Sequence, residues 1–429
     1  MTDFYAPAPP TFVRWRIVAL LALFAVLCHF NRVSMSVAGA EHFLPGHPER
    51  ETRMGLIYSA YLLVYTICMT PGGWLIDRKG PRAALILMGL GSALFVLFTG
   101  LVGTAVKTWS LLFGGLLVIR GLLGAVTAPI HPAAARMVQS WTPLTERSLG
   151  NGAVNCAALV GIAAAYPGFG WLSGRFGWPG AFVISGIATV LSAAIWMLYA
   201  RDGPAQHPGV NPEERELIEL GAPVSASGPS GVGLGRLVRN RSLILLTLSY
   251  ATVGYFQYLF FYWMQYYFDH VMDLGKTQSR LYSTLAMSAM AIGMAVGGWL
   301  FGRVERFMGQ RRGRALVCIV SMTASAIFLG LGILGQQPGW VVACFTLAMG
   351  AIGTCEAAFW TTATQVGAGR GGMAAALMNT GGNAGGLLAP VVTPLFSGYF
   401  GWHGGLALAC AVSLAGAAMW FWIDPAKGE

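Results

Sequence analysis

The stretch GWLIDRKGPR (73–82) returns in looser form as GWLFGR (298–303), at an offset of 225 residues. A second stretch behaves alike. FGWPG (176–180) returns as FGWHG (400–404) at an offset of 224, and the same offset relates Asn155 to Asn379. Matches that agree on one offset describe a chain built from two parallel repeats, each close to half of the 429 residues.

What surrounds these motifs is apolar. Hydrophobic residues make up 55% of the chain and charged residues 10%, with a mean hydropathy of +0.60. A soluble domain carries about 25% charged residues, so the composition excludes one. Long unbroken apolar runs also exclude a membrane barrel, whose strands alternate with period two. Runs of roughly 20 residues are long enough to span a bilayer as helices. Twelve such runs are found, centred near residues 27, 65, 94, 123, 160, 189, 255, 290, 325, 350, 385 and 412. The predicted fold is an all-α membrane protein of twelve transmembrane helices in two six-helix, pseudo-symmetric bundles, 1–200 and 241–429. Residues 201–240 form the loop between them. Within that loop Pro212 to Leu220 reads as a short interfacial helix, and SASGPSGVG (225–233) has the composition of a flexible linker. The Glu213–Glu214 pair reads as solvated surface.

The net charge of +10 invites a nucleic-acid partner, but the positive charge lies in short loops between apolar runs, where topology accounts for it. One set of loops carries only Arg50, Arg53, Lys107, Arg175, Lys276 and Arg280. Arg32 and Arg120 lie inside spans, and the remainder of the 27 Lys and Arg residues belong to the other set of loops and the tails. This excess places both termini and the central loop in the cytoplasm, with the chain in the cell (inner) membrane. The first apolar run follows Arg14 and Arg16 but is longer than a signal h-region, and is read as a retained first span. All seven cysteines fall in apolar spans without metal spacing. No nucleotide loop, metal cluster or catalytic triad is found, so neither an enzyme nor a bound cofactor is expected.

Charges at membrane depth are costly and mark substrate or ion paths. By these boundaries Glu356 is the one acid well inside a span, and Arg32 and Arg120 are the cations. A guanidinium fork matches a carboxylate, so the arginines point to a small organic anion. Their alternative is structural, neutralising helix ends or Glu356. Glu356 is either a proton carrier or a locked ion-pair partner. His29, one turn before Arg32, is a second candidate for a proton, and His29 and His131 are otherwise packing residues. In the seventh span Gln257, Tyr258 and Tyr262 can line one face, as can Trp360, one turn after Glu356. Asn379 and Asn383 are four apart in the eleventh span. Aromatic and amide groups suit a polyhydroxylated ligand. Helix packing is the competing account for each of them.

The GWLIDRKGPR stretch resembles the G-x-x-x-D-R-x-G-x-R signature of the major facilitator superfamily. That likeness implies a latch in which Asp77, Arg78 and Arg82 hold one state of a transport cycle. Other stretches resemble the anion:cation symporter family within that superfamily: CHFNRVSMSVA (28–38), RGLLGAVTAPIHPAAARM (120–137), HPGVNPEERELI (207–218), and FWTTATQVG (359–367) with LMNTGGNAGGLLAPVVTP (377–394). The resemblance covers essentially the whole chain. It implies a monomeric, secondary-active carrier of sugar acids or related carboxylates, binding the anion at Arg32 and Arg120, and commonly coupled to protons. The departures fall on the family's usual proton carriers. Its first-span aspartate is Asn31 here, after His29, and its fourth-span glutamate is Thr127. GAVTA (124–128) matches GTCEA (353–357), which puts Glu356 at the repeat position of Thr127. Either Glu356 replaces the missing acids, or the protein is an anion uniporter or exchanger without a proton. A non-transporting membrane sensor is the alternative from another class.

Overall fold

The structure, a computed structural model, describes residues 9–219, 234–367 and 370–424. The expected flexible linker at 225–233 lies outside these residues. The helices in chain order are α1 Val13–Ala38, α2 Glu51–Lys79, α3 Pro81–Ala105, α4 Trp109–Thr127, α5 Ile130–Trp141, α6 Arg147–Ala164, α7 Gly170–Tyr199, α8 Pro212–Glu219, α9 Leu234–Leu237, α10 Arg241–Tyr266, α11 Lys276–Met308, α12 Gln310–Leu334, α13 Pro338–Gly353, α14 Glu356–Val366 and α15 Gly371–Met419. No strand occurs among the described residues.

Ten helical runs are long and apolar enough to cross a membrane. Two of them, Leu149–Tyr199 with 51 residues and Gly371–Met419 with 49, are too long for one crossing. A straight helix of that size extends about 75 Å, more than twice the ~30 Å hydrocarbon core. Each breaks inside a repeated FGWxG motif, at Gly177 with φ 69° and at Gly401 with φ 70°. Positive φ is open to glycine at no steric cost, so the motif is a turn signal written once in each half. Counted as two spans apiece, these runs bring the ten to the twelve expected.

Contacts gather the chain into two compact units. The first comprises Met1–Arg32, Val64–Gly161 and Phe176–Gly228. Its core joins α1, α3, α5 and α7 through Ile17, Leu21, Phe24, Met88, Met137 and Trp196. The second comprises Val33–Leu63, Ile162–Arg175 and Pro229–Glu429. There α10 runs close beside α15, because Gly385 faces the carbonyl of Ala251. A Cβ on that glycine would sit 1.8 Å from the oxygen. Small residues allow such approach where lipid gives helices no hydrophobic reason to associate.

The loop helix is real, with Asn211 capping α8: its Oδ1 accepts from the Glu214 amide at 3.0 Å. The expectation of a solvated Glu213–Glu214 pair is corrected at Glu214, which is buried. Its carboxylate accepts from the amides of Val13 and Arg14, each at 3.1 Å, from Arg14 Nη1 at 3.1 Å and from the Thr11 hydroxyl. The first amides of a helix lack partners within it and favour a negative charge. Glu214 therefore caps α1 from 200 residues away. Burial alone would raise this carboxyl, but the bonds from Thr11, Arg14 and Val13 hold it below the usual carboxylate range.

Candidate functional site

In the first unit α1 and α4 bring together His29, Asn31, Arg32 and Arg120, all buried. Arg120 donates from Nη1 to the carbonyl of Asn31 at 3.1 Å and from Nη2 to that of Arg32 at 2.7 Å. One guanidinium fork thus clasps two consecutive carbonyls of α1, and it fixes the backbone that carries Arg32. His29 Nδ1 lies 3.0 Å from the Ala25 carbonyl, and its ring meets that of His131 edge-on at 5.3 Å. The two positions where the resemblance expects acids are occupied by neutral groups with local partners. Asn31 donates to Thr189 at 3.0 Å and accepts from Ser185. Thr127 donates back to the carbonyls of Leu123 and Gly124.

In the second unit Glu356 is the first residue of α14 and is 6% exposed. It lies at a break between α13 and α14, as Thr127 lies at the break between α4 and α5, so the repeat relation read from GAVTA and GTCEA has a structural counterpart. Its Oε1 accepts from Gln257 Nε2 at 2.7 Å. Its Oε2 accepts from the Tyr250 hydroxyl at 2.9 Å and Trp360 Nε1 at 3.2 Å. Tyr250 and Gln257 are two turns apart on α10, which puts both on the face toward α14. Sequence reasoning found Gln257, Glu356 and Trp360 but passed over Tyr250, although its seven-residue spacing from Gln257 was a usable signal.

The other expected binding residues point to different neighbours. Tyr258 packs over Gly386. Tyr262 stacks on Tyr58 with ring centroids 4.7 Å apart. Asn379 is half-buried and Asn383 buried, one turn apart on α15.

The expectation that Glu356 is the one acid inside a span is also corrected. Glu41 is 4% exposed and Asp269 7%, inside the helical runs Val13–Phe43 and Arg241–Val271. Wide helical turns at Gly39–Phe43 and Tyr267–Val271 carry these runs past the apolar residues that defined their ends. Arg280, counted in a loop, stands in α11 and holds Glu41 through both oxygens, at 2.7 Å from Nε and 2.6 Å from Nη2. Gln265 adds a donor at 2.7 Å.

At the GWLIDRKGPR stretch Asp77 accepts from Arg136 Nη2 at 2.7 Å, with both side chains exposed. Arg78 lies 4.7 Å from the centre of the Trp74 ring, and the repeat places Arg303 3.9 Å from Trp299. Arg82 donates to the Met197 carbonyl at 2.8 Å, and its amide to Asp202 at 3.3 Å. Gly80 and Gly309 share a positive φ, 84° and 76°. The two halves therefore repeat backbone and stacking as well as sequence.

Comparison with known proteins agrees with this architecture. The chain is 29% identical to the probable galactarate/D-glucarate transporter of Bacillus subtilis, over 92% of this chain and 88% of that one. It is 25% identical to the D-galactonate transporter of Escherichia coli, over 96% and 95%. A solved bacterial homolog of the human lysosomal transporter Spinster, inward-facing and occupied, superposes with a TM-score of 0.74 at 17% identity, over 96% and 97% of the two chains. The sequence model of the Major Facilitator Superfamily matches residues 21–379, most of the chain, and this multi-pass membrane protein belongs to that superfamily of transporters.

Proposed function

We propose that this protein is a secondary-active carrier of small organic anions, sugar acids or related carboxylates, working by alternating access as a monomer in the cell inner membrane with both termini cytoplasmic. The observation that carries the proposal is the pair of guanidinium groups buried together in the first unit, Arg32 and Arg120. A chain keeps buried cations inside a membrane where an anion passes. Arg32 supplies the charge for the anionic group, and Arg120 adds to it while holding the Arg32 backbone. His29 and Asn31 stand beside them. Gln257, Tyr258, Tyr262, Trp360, Asn379 and Asn383 supply amide and aromatic surface for hydroxyls. The names of the relatives, carriers of sugar acids, support the substrate class. The halves 1–200 and 241–429 move as the two bodies of the cycle, with Asp77, Arg78 and Arg82 as a cytoplasmic latch. Uptake of labelled sugar acids by proteoliposomes tests the function, and a wild-type protein that moves none of them contradicts it.

Glu356 is proposed as the carrier of a coupled proton, in place of the acids lost at residues 31 and 127, with His29 as the second candidate. Proton-independent uniport or exchange is the competing mode, and one observation favours it. Asn31 and Thr127 are neutral and bonded to neighbours. Uptake with and without an inward proton gradient separates the two modes.

A further inference from the structure

The Glu356 cluster bears on ligand charge. This inference rests on the sugar-acid proposal and goes beyond it. Three donors are spent on the carboxylate: Gln257 Nε2 on Oε1, and the Tyr250 hydroxyl and Trp360 Nε1 on Oε2. An indole or amide nitrogen can only donate. Both carboxylate oxygens are therefore acceptors, which is the bonding pattern of the ionised group. As first residue of α14, an 11-residue helix, Glu356 also sits where the helix dipole favours a negative charge.

What remains for a ligand follows by subtraction. Gln257 keeps its amide oxygen, which only accepts. Trp360, 40% exposed, offers a ring whose N–H is already engaged. An acceptor, an aromatic face and a fixed negative charge suit hydroxyl donors and C–H faces. They oppose a carboxylate, because the groups bonded to Glu356 are neutral and their protons are already used. A sugar acid with one carboxylate can present its hydroxylated end here. A sugar diacid has a carboxylate at each end and cannot.

We propose that Glu356 is a specificity-determining residue that selects sugar monoacids against diacids. The test uses D-galactonate and galactarate, which share a six-carbon polyol and differ in having one or two carboxylates. Binding of each to the purified full-length protein is measured by calorimetry at pH 7.5, for wild type, Glu356→Gln and Glu356→Asp. Like charges brought together at a binding surface are strongly disfavoured. The wild type is expected to prefer the monoacid by at least about tenfold. Glu356→Gln narrows that preference at least about fivefold, and Glu356→Asp, which keeps the charge, preserves most of it. Equal binding of both acids by the wild type overturns the inference and leaves the sugar-acid proposal standing. So does a preference unchanged in a folded Glu356→Gln protein. If that variant does not fold, the wild-type ratio and Glu356→Asp decide. Binding of neither acid by the wild type contradicts the sugar-acid proposal and this inference with it.

Discussion

Gln257 Nε2 donates to Glu356 Oε1 at 2.7 Å, across from the Tyr250 and Trp360 donors on the other oxygen. A proton taken up by this carboxylate must displace at least one of those donors and rearrange α10 against α14. That is the property a coupling residue needs. Glu356→Gln is expected to abolish the response of uptake to an inward proton gradient while retaining counterflow exchange. If the gradient still drives uptake in that variant, His29 becomes the candidate, and His29→Gln is the next variant to measure.

Arg32→Ala and Arg120→Ala are each expected to lower anion uptake severely while membrane expression stays intact. A hydrogen bond to a charged group contributes roughly 1.5–3 kcal/mol, or about 10- to 150-fold in affinity. Arg120→Lys should rescue poorly, because an ammonium cannot span the carbonyls of Asn31 and Arg32 as the fork does. Uptake near wild-type level in both alanine variants would remove the anion site from the first unit.

Asp77→Asn is expected to slow transport and leave equilibrium affinity alone. The Asp77–Arg136 pair is exposed on both sides, 67% and 53%, and such pairs contribute about 1 kcal/mol or less. The effect on turnover should therefore be a few-fold. A large loss of affinity with unaltered turnover would contradict a latch.

Glu214→Gln is expected to lower thermal stability, because it weakens the buried cap on α1 and leaves Arg14 with a poorer partner. Removing one partner of a buried pair costs about 3 kcal/mol or more. The pH dependence has a definite sign. The folded carboxyl titrates below its ordinary range, so its contribution is fully present above the unfolded value of about 4.3. It is lost as pH falls through the lower folded value. Melting curves of the wild type between about pH 5 and pH 3 should therefore fall more steeply than those of Glu214→Gln. Parallel curves would assign the cap no charge.

The twelve spans, the two repeats and the FGWxG turns were legible because bilayer thickness and positive φ impose patterns that composition cannot hide. Glu356 was legible as an acid in an apolar run, and the likeness of GAVTA to GTCEA placed it at the right break. Tyr250 was not, because a tyrosine in an apolar helix carries no mark of its hydrogen bond. Glu41 and Arg280 were missed for a different reason. Hydropathy ends a span where charge begins, whereas two opposite charges that bond each other let the helix continue. Glu214 was read as solvated because nothing local reveals a partner 200 residues away.

The central claim is transport of a sugar acid through a site governed by Arg32. The most direct measurement is uptake of labelled D-galactonate by proteoliposomes holding the full-length wild type or Arg32→Ala at equal protein content. Wild-type vesicles are predicted to take up the label in a saturable way that unlabelled sugar acids compete away, and Arg32→Ala vesicles to show less than about a tenth of that rate. Wild-type uptake no greater than that of empty vesicles, or uptake undiminished in Arg32→Ala, would contradict the account.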